Sequence, residues 1–301
     1  MFHGILLLDK PLGLSSSAAV QRVRRHFGRI KAGHTGSLDP LATGMLPICL
    51  GEATKVAGYL LEGDKEYEFT ARFGARRTTG DLEGEVVEEC AVPADLLAAL
   101  TAALPAFHGE ISQIPPMYSA LKRDGQPLYK LARQGIEIER EARSVVIHSL
   151  LLLAVADAEA RLLVRCSKGT YVRTLAEDLA RAIGSCAHLA ALRRTNVAPF
   201  SDNAMVTLEA LEAAGPAEVT LLAPDAALAH LAGVQLDEER TLRLRQGQTV
   251  GCPDGAAAPG LVRVYAHGGH FLGVGQVGTS EAARLILKPV RLFNDLGPNP
   301  T

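Results

Sequence analysis

The sequence has no tryptophan, and aromatic residues make up only 5% of its 301 residues. Proteins that bind single-stranded nucleic acid on rows of stacked aromatic side chains need more of them. The composition therefore argues against that type of nucleic-acid binder. Hydrophobic residues reach 48% and charged residues 21%, which is ample for a packed core and argues against a disordered chain.

Cysteine is also scarce, odd in number and scattered, with no Cys-x-x-Cys pair. The five residues are Cys49, Cys90, Cys166, Cys186 and Cys252. This pattern is typical of reduced thiols in a cytosolic protein, so we expect a cytoplasmic location. Cys186 and His188 are possible metal ligands, but no second pair of ligands matches them, and the sequence predicts no metal site.

Several other features are missing. Charged residues follow the first apolar run at once, which is too early for a signal peptide, and no run of about 18 apolar residues is present to cross a membrane. A phosphate-binding GxxxxGK[ST] loop, a GxSxG nucleophile motif and a GxGxxG dinucleotide motif are all absent. These absences argue against phosphate-loop ATPases, α/β-hydrolases and enzymes that bind a dinucleotide cofactor.

The net charge of -2 does not suggest a basic nucleic-acid binder. The charges are nevertheless unevenly distributed, because residues 22–31 carry five cations and no acid, whereas residues 81–89 carry acids and no cation. Charges act over only about 10 Å at physiological salt, so one basic face can form on an acidic molecule. A solvated helix face is the simpler interpretation of such a run.

The periodicity predicts a mixture of strands and helices. Strict alternation over residues 65–73 predicts a half-buried strand, and strands are also expected at 5–8, 145–155 and 160–167. Helical spacing predicts helices over 18–27, after a serine N-cap, and over 172–183. Residues 33–51, rich in glycine and proline, predict a long functional loop, and residues 113–144 predict an exposed, mobile excursion.

Three residues are candidates for chemistry. The run 33–44 reads Gly-His-Thr-Gly-Ser-Leu-Asp-Pro-Leu-Ala-Thr-Gly, and its glycines let the backbone approach a ligand around Asp39. Tyr67 lies on the apolar face of the alternating strand, where it is either a core residue or a ring placed against a flat substrate. Arg173 falls in the first turn of a helix, where the helix dipole disfavours a cation unless an anion lies nearby.

At these positions the chain resembles the bacterial tRNA pseudouridine-55 synthase family, TruB. The resemblance rests on six pieces in the family's order, at residues 8–16, 34–40, 44–55, 64–67, 166–173 and 192–195. It covers nearly the whole catalytic portion of the family, and the 34–40 motif is long and specific. Residues 285–293 are more weakly similar to the end of the family's PUA-like RNA-binding domain.

The resemblance implies an α+β fold: a catalytic domain of pseudouridine-synthase type over 1–230 with a mixed, mostly antiparallel sheet, followed by a small β-rich PUA-like domain over 231–301. It implies isomerisation of the uridine at position 55 in the T loop of tRNA after base flipping, by a monomer, without cofactor or metal. Asp39 is the expected catalytic carboxylate, which either attacks the sugar or removes a sugar proton. The expected substrate-binding residues are Lys10, His34, Tyr67, Tyr171, Arg173 and Leu192.

Two other functions remain as alternatives. A non-catalytic RNA chaperone on the same fold would not need Asp39, although a chaperone activity can coexist with catalysis. A carboxylate glycosidase usually needs two acids at a defined separation, and the specific 34–40 motif contains no acid besides Asp39. The sequence therefore favours the synthase.

Overall fold

The structure is a computed structural model that describes residues 2–200, 204–253, 255 and 258–294. The remaining parts of the two predicted domains, including 295–301, lie outside the described residues. The strands are β1 (Gly4–Lys10), β2 (Ala32–His34), β3 (Ala42–Leu50), β4 (Lys65–Phe73), β5 (Ala75–Arg77), β6 (Val86–Glu89), β7 (Gly109–Gln113), β8 (Lys122–Arg123), β9 (Gln126–Pro127), β10 (Arg143–Ala156), β11 (Glu159–Cys166), β12 (Ala187–Val197), β13 (Val206–Thr207), β14 (Ala232–Gln235), β15 (Val250–Gly251), β16 (Gly260–Tyr265), β17 (Phe271–Thr279) and β18 (Leu285–Leu292). The α-helices are α1 (Ser16–His26), α2 (Ala57–Glu62), α3 (Leu96–Ala103), α4 (Leu128–Ala132), α5 (Val172–Ala182), α6 (Leu208–Ala213) and α7 (Glu238–Arg245), with short 3-10 helices at Gly51–Lys55, Leu104–Phe107 and Pro224–Leu228.

A nine-stranded sheet forms the centre of the larger part. Its order is β13-β1-β3-β12-β4-β11-β10-β7, with β2 paired to β3 outside this path. Only the pairs β1–β13 and β3–β12 are parallel, and the others in this sheet are antiparallel. The expected α+β fold with a mixed, mostly antiparallel sheet is therefore confirmed.

The helices cover the sheet because its strands alternate buried side chains between two faces. On β4, Phe69, Ala71 and Phe73 pack against α5 and α3. On β1, Leu6 and Leu8 pack against α1 and α6. The other face of β1 packs against α2 and the 3-10 helix before β14, so this strand is buried on both sides.

A second sheet follows, with five strands in the order β14-β16-β17-β18-β15 and its own buried core. The expected small β-rich part is therefore present. This part also contains helix α7, which Asp237 caps by accepting a hydrogen bond from the Arg240 N–H at 2.7 Å. This helix packs Leu244 into the core of the second sheet.

The prediction of one long irregular loop over residues 33–51 is wrong in part. Only residues 35–41 are irregular, because β2 ends at His34 and β3 begins at Ala42. Strand β3 tolerates its glycine and proline, since Gly44 adopts a φ of 97° where the backbone of Arg194 lies against it. Glycine can adopt this conformation without steric cost, whereas other residues cannot.

The predicted excursion at 113–144 contains the short hairpin β8–β9 and helix α4, with Leu128 buried beneath them. The excursion is mostly exposed, as expected, and it also contains regular structure that the sequence did not indicate.

The cysteine prediction is wrong for one pair. Cys90 and Cys186 form a disulfide across 96 residues, with Cα atoms 5.7 Å apart, whereas Cys49, Cys166 and Cys252 are free and buried. The end of hairpin β5–β6 lies against the start of β12. The spacing of the cysteines along the chain does not indicate this proximity. Among the described residues, no helix is long and apolar enough to cross a membrane.

Candidate active site

One cavity of about 760 Å³ opens at the ends of the central strands. Its wall combines the loop 36–40, the start of α1, the turn after β5, part of the excursion, the start of α5, and strands β4 and β12. Five of the seven residues expected from the resemblance are on this wall or at its floor: Asp39, Tyr67, Tyr171, Arg173 and Leu192. Segments far apart in the chain therefore converge on one site.

The loop that carries Asp39 is fixed on helix α1. The Ser16 hydroxyl accepts a hydrogen bond from the Leu38 N–H at 2.7 Å and donates one to the Leu38 carbonyl at 2.9 Å. The Asp39 carbonyl accepts from the Ala42 N–H at 3.0 Å, which closes the turn before β3. These bonds hold the backbone so that the carboxylate, with its side chain 42% exposed, faces the cavity.

Arg173 supplies the cation beside that carboxylate. Its Nε lies 3.1 Å from Asp39 Oδ2, and its two terminal nitrogens donate to the Thr79 and Tyr118 carbonyls, each at 2.7 Å. The side chain is only 6% exposed. The anion expected next to a cation in the first helical turn is therefore Asp39, and the two backbone carbonyls hold the guanidinium whose Nε meets it.

Tyr67 and Arg194 face each other across strands β4 and β12. Burial raises the pKa of Tyr67, and the positive charge of the nearby Arg194 guanidinium opposes that rise. Tyr67 therefore keeps its phenolic proton at neutral pH.

Tyr171 and Leu192 line the cavity as expected. Tyr171 is the N-cap residue of α5, and its N–H donates to Gln113 Oε1 at 3.0 Å. The neighbouring Thr170 donates its hydroxyl to the Ser167 carbonyl at 3.0 Å. Burial raises the pKa of the Tyr171 hydroxyl.

Lys10 and His34 are the two expected residues that do not line the cavity. Lys10 is fully buried, and its Nζ donates to the Pro11 and Leu14 carbonyls at 2.8 and 2.6 Å. Burial lowers its pKa to about 8, and the Asp39 charge opposes this shift. His34 ends β2 with a buried Nδ1 that has no hydrogen-bond partner, and burial lowers its pKa.

Sequence reasoning missed three polar residues on the cavity wall. Arg194 is buried and belongs to the same strand face as Leu192, a signal that the two-residue period of a strand provides. Asp81 is buried and accepts hydrogen bonds from Thr79 Oγ1 at 2.5 Å and the Glu83 N–H at 3.1 Å. Burial raises the pKa of Glu83, and the charges of Asp81 and Asp39 raise it further. Asp81 and Glu83 therefore add two acids, from outside the matched motifs, to the cavity wall that carries Asp39.

The fold has solved counterparts. It superimposes with a TM-score of 0.71 and 21% identity on a structure described as an H/ACA RNP bound to a substrate RNA containing 2'-deoxyuridine, covering 97% of this chain and 85% of that one. A Cbf5-Nop10-Gar1 complex gives a TM-score of 0.70 at 24% identity, covering 96% and 84%. At these identities the likeness concerns the fold alone.

Sequence comparison defines the class of enzyme. The chain is 54% identical over 280 residues to the tRNA pseudouridine synthase B of Ectopseudomonas mendocina, covering 91% of each chain. It is 53% identical over 289 residues to the protein of the same name from Aromatoleum aromaticum, covering 94% of this chain and 92% of the relative. The protein is therefore a pseudouridine synthase, an isomerase.

Three family models identify the family more closely. Residues 24–172 match the N-terminal domain of the TruB family pseudouridylate synthases, and residues 173–224 match the tRNA pseudouridylate synthase B C-terminal domain. Residues 232–293 match the C-terminal model of pseudouridine synthase II TruB. The chain belongs to the TruB family, and the resemblance drawn from its motifs is confirmed.

Proposed function

We propose that this protein isomerises the uridine at position 55 in the T loop of tRNAs to pseudouridine, with Asp39 as the catalytic carboxylate. The observation that carries the proposal is the Asp39–Arg173 pair on the wall of a cavity that also presents Tyr67. A volume of about 760 Å³ lies in the range of about 300–1,000 Å³ common for sites that enclose a small ligand. One flipped-out nucleotide is a ligand of that kind.

The proposed reaction breaks the bond between ribose C1' and N1 of uracil, turns the base, and joins C5 to C1'. A hydrogen leaves C5, and N1 gains one, so no electrons pass to an external acceptor. A carboxylate suffices in either route, since it attacks the ribose or removes a sugar proton. We therefore propose no cofactor and no metal for the reaction.

The substrate is proposed to bind as the T stem-loop of tRNA. RNA of this shape is recognised mainly through phosphate and sugar contacts, and the base enters the cavity only after unstacking. Exposed cations on two segments that contribute to the cavity wall support this proposal: Arg25 lies in the last turn of helix α1 with Arg29 and Lys31 after it, and Lys122, Arg123 and Lys130 lie on the excursion. Lys10, His34, Tyr171 and Leu192 remain proposed substrate-binding or supporting residues.

We propose that residues 1–230 carry out catalysis and that the PUA-like residues 231–301 make additional contacts with the RNA. The separate sheet from β14 to β18 supports a boundary at this point. We also propose that the protein acts as a monomer in the cytoplasm, where its tRNA substrate is found.

The test is tritium release from tRNA that carries uridine labelled at C5. We expect the wild type to release tritium from one T-loop uridine, and Asp39→Asn to reduce the rate by about 10⁴-fold or more. Asp157→Asn is the matched control, because Asp157 is exposed in a turn with a φ of 52° that asparagine also adopts. Equal rates of tritium release for the wild type and Asp39→Asn would show that Asp39 is not the catalytic carboxylate. A wild type that binds the RNA without releasing tritium would leave the RNA-chaperone alternative.

A further inference from the structure

Gln113 is a buried amide at the end of β7, the edge strand of the central sheet, and the residue is only 2% exposed. Its Oε1 accepts a hydrogen bond from the Tyr171 N–H at 3.0 Å, and its Nε2 donates to the Tyr171 carbonyl at 3.4 Å. Paired residues on antiparallel strands exchange two backbone bonds in the same way. The glutamine side chain therefore takes the place of a strand beside Tyr171, which lies 58 residues further along the chain.

Helix α5 begins at this contact. Tyr171 is its N-cap residue, a position where serine, threonine, aspartate or asparagine usually accepts a hydrogen bond from the first turn. Tyr171 makes no such side-chain bond and lines the cavity instead. The amide of Gln113 holds the N-cap from outside, through the backbone of Tyr171 itself. The start of α5 is thus fixed to β7 rather than by a cap of its own.

The position of this helical turn determines where Arg173 lies. Arg173 is the second residue of α5, and its Nε lies 3.1 Å from Asp39 Oδ2. The far end of the guanidinium is held by the Thr79 and Tyr118 carbonyls. The backbone end of Arg173 depends on the first turn of the helix, so a shift of that turn would change the contact with the carboxylate.

We propose that Gln113 is a positioning residue for the isomerisation, because it holds the N-cap of α5 and thereby keeps Arg173 in register with Asp39. Gln113 is not part of the cavity wall, so it acts through the backbone of α5 and not on the substrate. The proposal rests on the roles proposed above for Asp39 and Arg173. The contact between Gln113 and Tyr171 belongs to the free protein and can be tested without a substrate.

The first test follows the backbone amide of Tyr171 in full-length protein labelled with ¹⁵N-tyrosine. The sequence has six tyrosines, and Tyr171→Phe identifies the Tyr171 signal by removing it. Gln113→Met keeps a side chain of similar length but has no amide, so we expect it to shift the Tyr171 amide signal, which loses its acceptor. An unmoved signal in the folded variant would overturn the proposal, whatever the activity of the protein.

Ser112→Met is the matched control. Ser112 precedes Gln113 on β7, is exposed and does not line the cavity, and successive strand residues point to opposite faces. We expect this variant to leave the Tyr171 signal in place. If Gln113→Met does not fold, Gln113→Asn takes its place: its amide is one methylene short of making both bonds to Tyr171, so the signal should also move.

The second test measures single-turnover pseudouridine formation on T stem-loop RNA, with enzyme in excess. We expect Gln113→Met to lower the rate constant at least about tenfold, because a misplacement of about 1 Å in a catalytic arrangement can cost about 100-fold. RNA affinity should change less than about threefold, since the interaction that is lost serves the chemical step. An unchanged rate constant with a smaller reacting fraction would indicate lost stability alone and would overturn the proposal.

The third test repeats Gln113→Met in the Arg173→Lys background. There the substitution should cost less than about threefold, because the guanidinium that it aligns is absent. Equal losses in both backgrounds would show that Gln113 does not act through Arg173.

Asp39→Asn, assayed in parallel, separates this proposal from the proposed function. A loss of rate in Asp39→Asn but not in Gln113→Met would overturn the positioning role alone. A wild-type rate in Asp39→Asn would overturn the role of Asp39 on which the positioning proposal rests.

Discussion

Two lysines near the cavity are buried and held by backbone carbonyls. Lys65 begins β4, and its Nζ donates to the Leu61 and Gly63 carbonyls at 2.7 and 2.5 Å. Burial lowers the pKa of Lys65 to about 8, with the Arg194 charge as the next cause. Lys10 has a similar pKa for a similar reason. Buried ammonium groups of this kind make stability depend on pH.

The pH dependence can be predicted for Lys65. In the unfolded chain a lysine has a pKa of 10.5, so between about pH 8 and 10.5 the unfolded state binds a proton that the native state has lost. Stability therefore rises with pH over this window, by at most roughly 3 kcal/mol for this group. The measurement is urea unfolding of wild type and Lys65→Met from pH 7.5 to 10.5.

We expect the free energy of unfolding of the wild type to increase relative to that of Lys65→Met as the pH rises. Lys31→Met removes an exposed lysine and controls for the change in net charge. A difference between wild type and Lys65→Met that stays constant or decreases over the window would contradict the prediction.

At the scale of elements, strands β3 and β12 approach each other closely at Gly44. A Cβ added to Gly44 would lie 2.2 Å from the Arg194 carbonyl oxygen, and the φ of 97° at Gly44 is unfavourable for any other residue. Gly44→Ala must therefore separate the two strands or distort both. The same separation would move Arg194 and the loop of Asp39.

We expect Gly44→Ala to destabilise the protein by at least about 3 kcal/mol, measured as the free energy of unfolding in urea. Gly58→Ala is the matched control, because Gly58 lies in α2 with open space around its Cα, so that alanine should be neutral or stabilising by up to about 1 kcal/mol. Similar losses for the two variants would show that the close contact is unimportant.

The elements differ in how far the sequence predicts them. Strand β4 is predicted with its full bounds, because one of its faces is more buried than the other. Its apolar and polar residues therefore alternate along the sequence. Strand β3 was missed because it is buried on both faces, so its apolar residues do not alternate, and its glycine and proline are typical of loops. Helix α7 was missed because it is short and mostly charged.

The site shows the same division. The Asp39 motif is local and recognisable, and the position of Arg173 in a helical turn predicted an anion beside it. The carbonyl partners of Arg173 and Arg194 come from segments 55 to 158 residues away along the chain. Such contacts depend on tertiary packing, so the sequence of one chain does not indicate them.

At the scale of the whole molecule, one hydrophobic cluster joins the two sheets. It combines Ile5 and Met45 of the first sheet with Val274 of the second, and Phe271 and Phe293 pack against it. Polar contacts add to this: Lys55 Nζ donates to the Leu292 carbonyl at 2.9 Å, and the Asn294 N–H donates to Glu52 at 2.8 Å. The two parts are therefore expected to unfold together.

Calorimetry should show one transition for the full chain. Val274→Ala should lower the whole transition by a few degrees, since it removes about 2 kcal/mol of packing at the junction. Val290→Ala, at a site 51% exposed, should change the transition little. Two separate transitions in the wild type, or a shift of only one part in Val274→Ala, would contradict a shared core.

The position of β1 has a consequence for protein synthesis. One edge of β1 pairs with β3. The other edge pairs with residues made much later: Leu8 pairs with Val206 of β13, and Ile5 pairs with Leu222. A ribosome adds about 5–20 residues per second, so the roughly 200 residues in between take about 10–40 s. During that interval the nascent chain presents an open strand edge, the kind of surface on which chains associate wrongly. The first strand to be synthesised is thus among the last to gain all its hydrogen-bonding neighbours. We therefore expect a chaperone that binds nascent chains to protect this edge.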